Sequence, residues 1–189
     1  MKKHLFMLVL LFPALVSANE WSYQNGPYAS LETKVYEVNG SKAIDSSFKF
    51  HLMHFHQNNE LITSFTLPKN YSYICGSSSG ITFGDYRERD IGLANINGTF
   101  VKFVAVCNAN HNIIYNKKTS KNEYKFNWEV EFQPTTAKGS KYILSELTAN
   151  KDLRIKWDII YNQNSVFYQV YTSNFVTEFK KIESKLTAL

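Results

Sequence analysis

The sequence predicts a mainly β protein: an antiparallel β-sandwich or partly open barrel with one C-terminal amphipathic helix and one disulfide. Three observations predict this. Apolar and polar residues alternate with a period of two along most of the chain. The final segment switches to a helical period. The two cysteines, Cys75 and Cys107, form an even pair in a chain that opens with an export-type leader.

The leader comes first. Lys2 and Lys3 make a positive start, residues 5–15 are almost wholly apolar, and Val16-Ser17-Ala18 precede a cut before Asn19. Residues 1–18 are therefore expected to be a secretory signal peptide of bacterial style. The apolar run is too short to span a bilayer as a helix, and no later run approaches the required length, so an uncleaved anchor is the lesser reading. No cysteine follows the cut to carry a lipid. Residues 19–189 are then one exported domain, periplasmic or secreted, with no transmembrane segment after cleavage. At 189 residues the chain suits one domain rather than two, and 15% aromatic content argues against disorder.

The strands follow in order. Candidates are residues 31–38, 47–56, 61–67 and 99–107, with Asn39-Gly40 between the first two as a tight hairpin turn. The strand over 99–107 is apolar on both faces, which marks it as central. Tyr124, Phe126, Trp128, Val130 and Phe132 share one face, against Glu123, Lys125, Asn127, Glu129 and Glu131 on the other. Leu153, Ile155, Trp157 and Ile159 repeat the pattern against Arg154, Lys156 and Asp158. One dry face and one wet face is the signature of an antiparallel sheet. Segments 142–147 and 166–171 are weaker strand candidates.

The disulfide would join the end of the central strand to the segment before residue 76. It closes a loop of about 32 residues, for which chain entropy predicts roughly 3.5–4 kcal/mol. The helix is expected over about residues 173–187. Phe175, Phe179, Ile182 and Leu186 form one stripe, Ser173 or Asn174 can cap the start, and Lys180, Lys181 and Lys185 suit the end. It is expected to dock on its own sheet.

Composition narrows the function classes. Removing Lys2 and Lys3 lowers the formal net charge from +5 to +3, and only Arg87, Arg89 and Arg154 are arginines. No concentrated basic stripe forms, so nucleic acid is not expected as a partner. The Gly76-Ser77-Ser78-Ser79-Gly80 segment lacks the lysine and following helix of a phosphate-binding loop. No cofactor is expected.

Metal binding rests on few ligands. On a strand His54 and His56 share a face while His51 points away, and His111 would have to approach from another strand. These histidines are weak candidates, and the sequence assigns no metal site. No G-x-S-x-G or H-E-x-x-H motif is present, and no catalytic residue is assigned. An eight-stranded outer-membrane barrel would fit the length and the alternation, but it would not end in a helix.

What remains is an exported binding module working through a protein–protein surface, such as an immunity or inhibitor protein, an exclusion factor or a host-contact protein. The expected partner is another protein. Its contact loop is expected within Gly84 to Asp90, where Tyr86, Arg87 and Arg89 combine residue types common among interface anchors. The alternatives are a carrier of a small apolar ligand in a β-sheet cavity and an extracytoplasmic enzyme. Surface binding would be marked by an exposed aromatic patch on one face, the carrier by an internal cavity.

Overall fold

Nine antiparallel strands form one sheet that closes on itself in the computed structural model, which describes residues 21–25, 29–55, 60–157 and 166–186. They are β1 (Ser22–Asn25), β2 (Ala29–Asn39), β3 (Lys42–Phe55), β4 (Glu60–Leu67), β5 (Tyr86–Ile96), β6 (Thr99–Asn116), β7 (Lys121–Pro134), β8 (Leu153–Trp157) and β9 (Val166–Val170). Two helices, α1 (Ala137–Thr148) and α2 (Phe175–Leu186), and a 3₁₀ turn (Lys69–Cys75) complete the described chain. The sheet order is β1-β2-β3-β4-β7-β6-β5-β8-β9, and β2 also pairs with β9 through Tyr36↔Gln169 to Asn39↔Val166. That last pairing closes a barrel, the first half of β2 being shared with β1. Closure satisfies the strand edges that an open sheet would expose.

The alternation sets which residues point inward. Phe48, Phe50, Phe65, Phe103 and Phe132 are all buried, and Trp157 sits among them. Its ring lies 5.0 Å from Phe65, 5.5 Å from Phe132, 5.6 Å from Tyr168 and 6.0 Å from Phe103. Burying one such side chain stabilises by about 1.5–3 kcal/mol, so this cluster is the main source of cohesion. The rings pack against one another in the interior. Outward positions carry Glu32, Lys34, Lys49, Lys102, Glu131 and Lys156. Apolar inside and charged outside is the reverse of an outer-membrane barrel.

Both ends are closed. At one, α1 buries Gly139, Ile143 and Leu147, while α2 buries Phe175, Phe179 and Ile182 and docks on its own sheet as expected. Trp21 packs edge-on against Phe50 and Phe175 and donates its indole N–H to Tyr171 O. At the other end the 3₁₀ turn sets Tyr71 against Phe48, and Cys75 is joined to Cys107 at a Cα separation of 5.9 Å.

Several local expectations change. Segment 142–147 is the second half of α1, not a strand. Thr136 caps that helix by accepting from Gly139 N, and Gly139, Ile143 and Leu147 recur every four residues on its buried side. Asn174 does not cap α2 with its side chain: its Oδ1 accepts from Trp21 N. The central strand does not stop at Cys107 but runs on to Asn116, and outward Phe100 is exposed. The expected hairpin forms between β2 and β3, but one residue later: Asn39 is the last paired residue of β2, opposite Lys42, and Gly40-Ser41 make the turn, whereas Asn97-Gly98 turn β5 into β6. At the second turn both residues have positive φ, 50° and 90°, the backbone that favours this pair. No described helix is long and apolar enough to cross a membrane. The proposed signal peptide, His56, Asp158 and Ile159 lie outside the described residues.

Candidate functional site

The extra length of β6 and β7 creates the most distinctive surface. β5 accompanies β6 only as far as Tyr86↔Asn108, and β4 accompanies β7 only over Leu67↔Val130 to Phe65↔Phe132. Beyond those points the two strands continue as a ribbon, from Ala109↔Trp128 to Asn116↔Lys121. Residues 111–116 alone carry it about 20 Å further.

Strand alternation decides what this ribbon shows. Cys107, Ala109, Trp128 and Val130 face the core, so His111, Ile113, Tyr115, Tyr124 and Phe126 continue the same face outward. His111 is opposite Phe126, and Ile113 is opposite Tyr124. Their rings meet: His111 lies 5.5 Å from Tyr124, 6.2 Å from Phe126 and 5.3 Å from Phe83 in the loop before β5. The face emerges from the core into solvent, with Ile113 58%, Tyr115 59%, Tyr124 62% and Phe83 72% exposed. The opposite face alternates Asn110, Ile114 and Asn116 with Glu123, Lys125 and Asn127.

The ribbon is basic at its tip. Lys117, Lys118, Lys121 and Lys125 surround one acid, Glu123, which accepts from Asn116 Nδ2. Lysines along a free strand edge also oppose edge-to-edge aggregation.

The expected contact loop is not a loop in its second half. Residues Tyr86 to Asp90 open β5. Arg87 and Arg89 share the inward side of β5 with their partners Cys107 and Ala105, beside Gly76, while Tyr86 and Glu88 face outward. Arg87 stacks its guanidinium 4.8 Å from the centroid of Trp128 and reaches the carbonyl of Cys75 at 3.4 Å. Arg89 has no hydrogen-bond or ion-pair partner among the described residues. The Tyr86 hydroxyl donates to the Glu88 carboxylate, which pushes its pKa up to about 12 and keeps it protonated. The Gly76–Gly80 segment is tied down where Trp128 Nε1 donates to Ser77 O.

Two of the candidate histidines lie on different parts of the barrel. The backbone of His54 pairs with Leu61 at the helix-capped end of the barrel, whereas His111 lies at the ribbon. Among the described residues no three potential ligands gather into a metal site. The His54 side chain is outside the described atoms.

His51, on the outer face of β3, lies beside an acid. Its Nδ1 is 3.6 Å from Glu32, and Ser64 is its cross-strand neighbour on β4. Burial pushes its pKa down, outweighing the attraction of Glu32 and Glu131. Ser64 is fully buried and its Oγ has no partner, so this row offers no nucleophile to solvent. Comparison with known protein families, curated proteins and solved structures gives no match to this chain.

Proposed function

We propose that this chain is an exported binding module, acting in the periplasm or outside the cell, that recognises an acidic protein surface through the β6–β7 ribbon. The observation that carries this reading is the row of exposed apolar side chains along one ribbon face, Ile113, Tyr115 and Tyr124, with Phe83 beside it. Folding alone does not require these side chains, because they project beyond the filled barrel. A contiguous apolar patch rimmed by polar groups is the usual mark of a docking surface.

Charge supplies the partner's sign. The four lysines at the tip of the ribbon border that face with cations, and complementary charge raises association rates and excludes wrong partners. Tyr and Arg also head the list of residues that dominate binding energy. The Cys75–Cys107 bridge fits an oxidising compartment.

The test is affinity capture from the envelope fraction and culture medium of the producing cells, with the wild-type domain and an Ile113→Ser/Tyr124→Ser variant as parallel baits. The expected result is an acidic protein retained by the wild type at low salt, released by higher salt and absent from the variant. Equal retention on both baits would overturn the ribbon as the contact surface.

A further inference from the structure

We infer a second binding site, independent of the ribbon: the cleft between α1, β4 and the end of β7 accepts a small amphiphile with an alkyl tail and a carboxylate head. The cleft measures about 510 Å³, within the roughly 300–1,000 Å³ of small-molecule sites. It lies at the helix-capped end of the barrel and shares no lining residue with the ribbon face.

Its wall combines two chemistries. Leu52, Leu61, Ile62, Pro134 and Leu144 make an apolar surface suited to a hydrocarbon chain. Thr63, Ser140 and Lys141 line the same space with side-chain donors. Thr63 is only 1% exposed and its Oγ1 has no hydrogen-bond partner, a state that is destabilising for a buried hydroxyl. Ser140 Oγ and Lys141 Nζ have no hydrogen-bond or ion-pair partner among the described residues.

The sign of the head group follows from what surrounds these donors. Among the side chains described, no acidic one lines the cleft, the Glu131 carboxylate that accepts from lining Gln133 lying outside it, and the first turn of α1, which borders the cleft, contains none. The helix N-terminus therefore adds to the positive potential of Lys141. A carboxylate can accept from a hydroxyl and pair with the ammonium, while a cationic head would meet like charge.

The experiment is calorimetric titration of the whole protein with decanoate, decan-1-ol and decyltrimethylammonium. Decanoate is expected to bind once per chain, the alcohol more weakly, and the cation not at all. Lys141→Gln should weaken decanoate by about fivefold, the upper range for an exposed ion pair. Ser140→Trp, which fills the cleft from the helix side, should abolish binding. Thr63→Val should weaken decanoate while leaving the unliganded Tm unchanged or higher, because it removes an orphaned hydroxyl. The Ile113→Ser/Tyr124→Ser variant should bind decanoate as the wild type does. No saturable decanoate binding, equal affinity for the cation, or wild-type affinity in Lys141→Gln would overturn the assignment.

Discussion

The guanidinium of Arg87 lies 4.8 Å from the centroid of the Trp128 ring, and the same arginine reaches the carbonyl of Cys75. The cation therefore braces the segment after the 3₁₀ turn against β7, directly beside the disulfide. Arg87 is a structural clamp at the base of the ribbon, whereas Arg89, one pleat along, has no hydrogen-bond or ion-pair partner among the described residues. Arg87→Ala is expected to cost about 0.5–1 kcal/mol, the range for a cation–π contact that remains partly hydrated. Arg89→Ala should leave the melting temperature unchanged and weaken binding to the captured partner. Thermal unfolding of the two single variants, followed by their affinities, separates the roles. Equal stability losses in both would contradict the assignment.

The bridge between Cys75 and Cys107 closes a loop with a sequence separation of 32. Both residues are fully buried, so its loss removes a constraint on the unfolded chain and also loosens packing around Trp128. The Cys75→Ser/Cys107→Ser variant is expected to lose roughly 3.5–4 kcal/mol by the chain-entropy argument. Urea unfolding of the oxidised wild type and the variant measures it directly. A difference below about 1 kcal/mol would mean that the reduced chain is constrained by other means.

Gly139 reverses the usual expectation for a helix interior. Replacing glycine by alanine there normally stabilises by about 0.5–1 kcal/mol. Here a Cβ would meet Val101 Cγ1 at 2.9 Å and Pro134 Cβ at 3.0 Å. Gly139→Ala should therefore destabilise by about 1–3 kcal/mol, as overpacking does. An increase in Tm would show that α1 can move off the sheet at little cost.

His51 gives stability a pH dependence of defined sign. Burial lowers its folded pKa below the ordinary 6.5, against the pull of Glu32 and Glu131 and together with the repulsion of Lys49. The unfolded chain then binds the proton more readily than the folded one. The contribution is complete above about pH 6.5 and is lost as pH falls from there toward the lowered folded value. Melting curves between pH 7.5 and 5 should show declining Tm in the wild type and a smaller decline in His51→Gln. Parallel curves would assign the slope to other groups.

The ribbon face should be dispensable for folding. Tyr124→Ala and Ile113→Ala remove side chains that are mostly exposed, so each should change stability by no more than about 0.5 kcal/mol. The matched core change, Phe132→Ala, removes a fully buried ring and should cost about 3–5 kcal/mol. Chemical unfolding of the three variants tests that contrast, and a large loss from Tyr124→Ala would place the ribbon within the cooperative core.

Much of this architecture was legible in the residues. Period-two alternation located β2, β3, β4, β7 and β8, because a half-buried strand must place apolar groups on one side. The four-residue spacing of Phe175 and Phe179 located α2 for the corresponding reason. Two segments were harder to read. In β5 the charged run Tyr86–Asp90 has no apolar alternation, since Arg87 and Arg89 occupy the positions opposite Cys107 and Ala105. In β6 the asparagines at 108, 110 and 112 favour turns by intrinsic preference. Alternation with Ala109, His111 and Ile113 was the signal for a strand there, and pairing with β7 overrides the preference.

By itself the sequence determined the fold class, the direction of the C-terminal helix stripe and the pairing of its only two cysteines, because each depends on local period or on composition. Tertiary structure decided the rest. Whether the sheet closes depends on β2 meeting β9, a pairing between residues more than a hundred positions apart that no local pattern encodes. Whether an aromatic face is core or surface depends on how far neighbouring strands reach: Trp128 and Tyr124 obey the same alternation, yet one is buried and the other exposed. Periodicity assigns a residue to a face, but only the extent of the surrounding strands determines whether water reaches it.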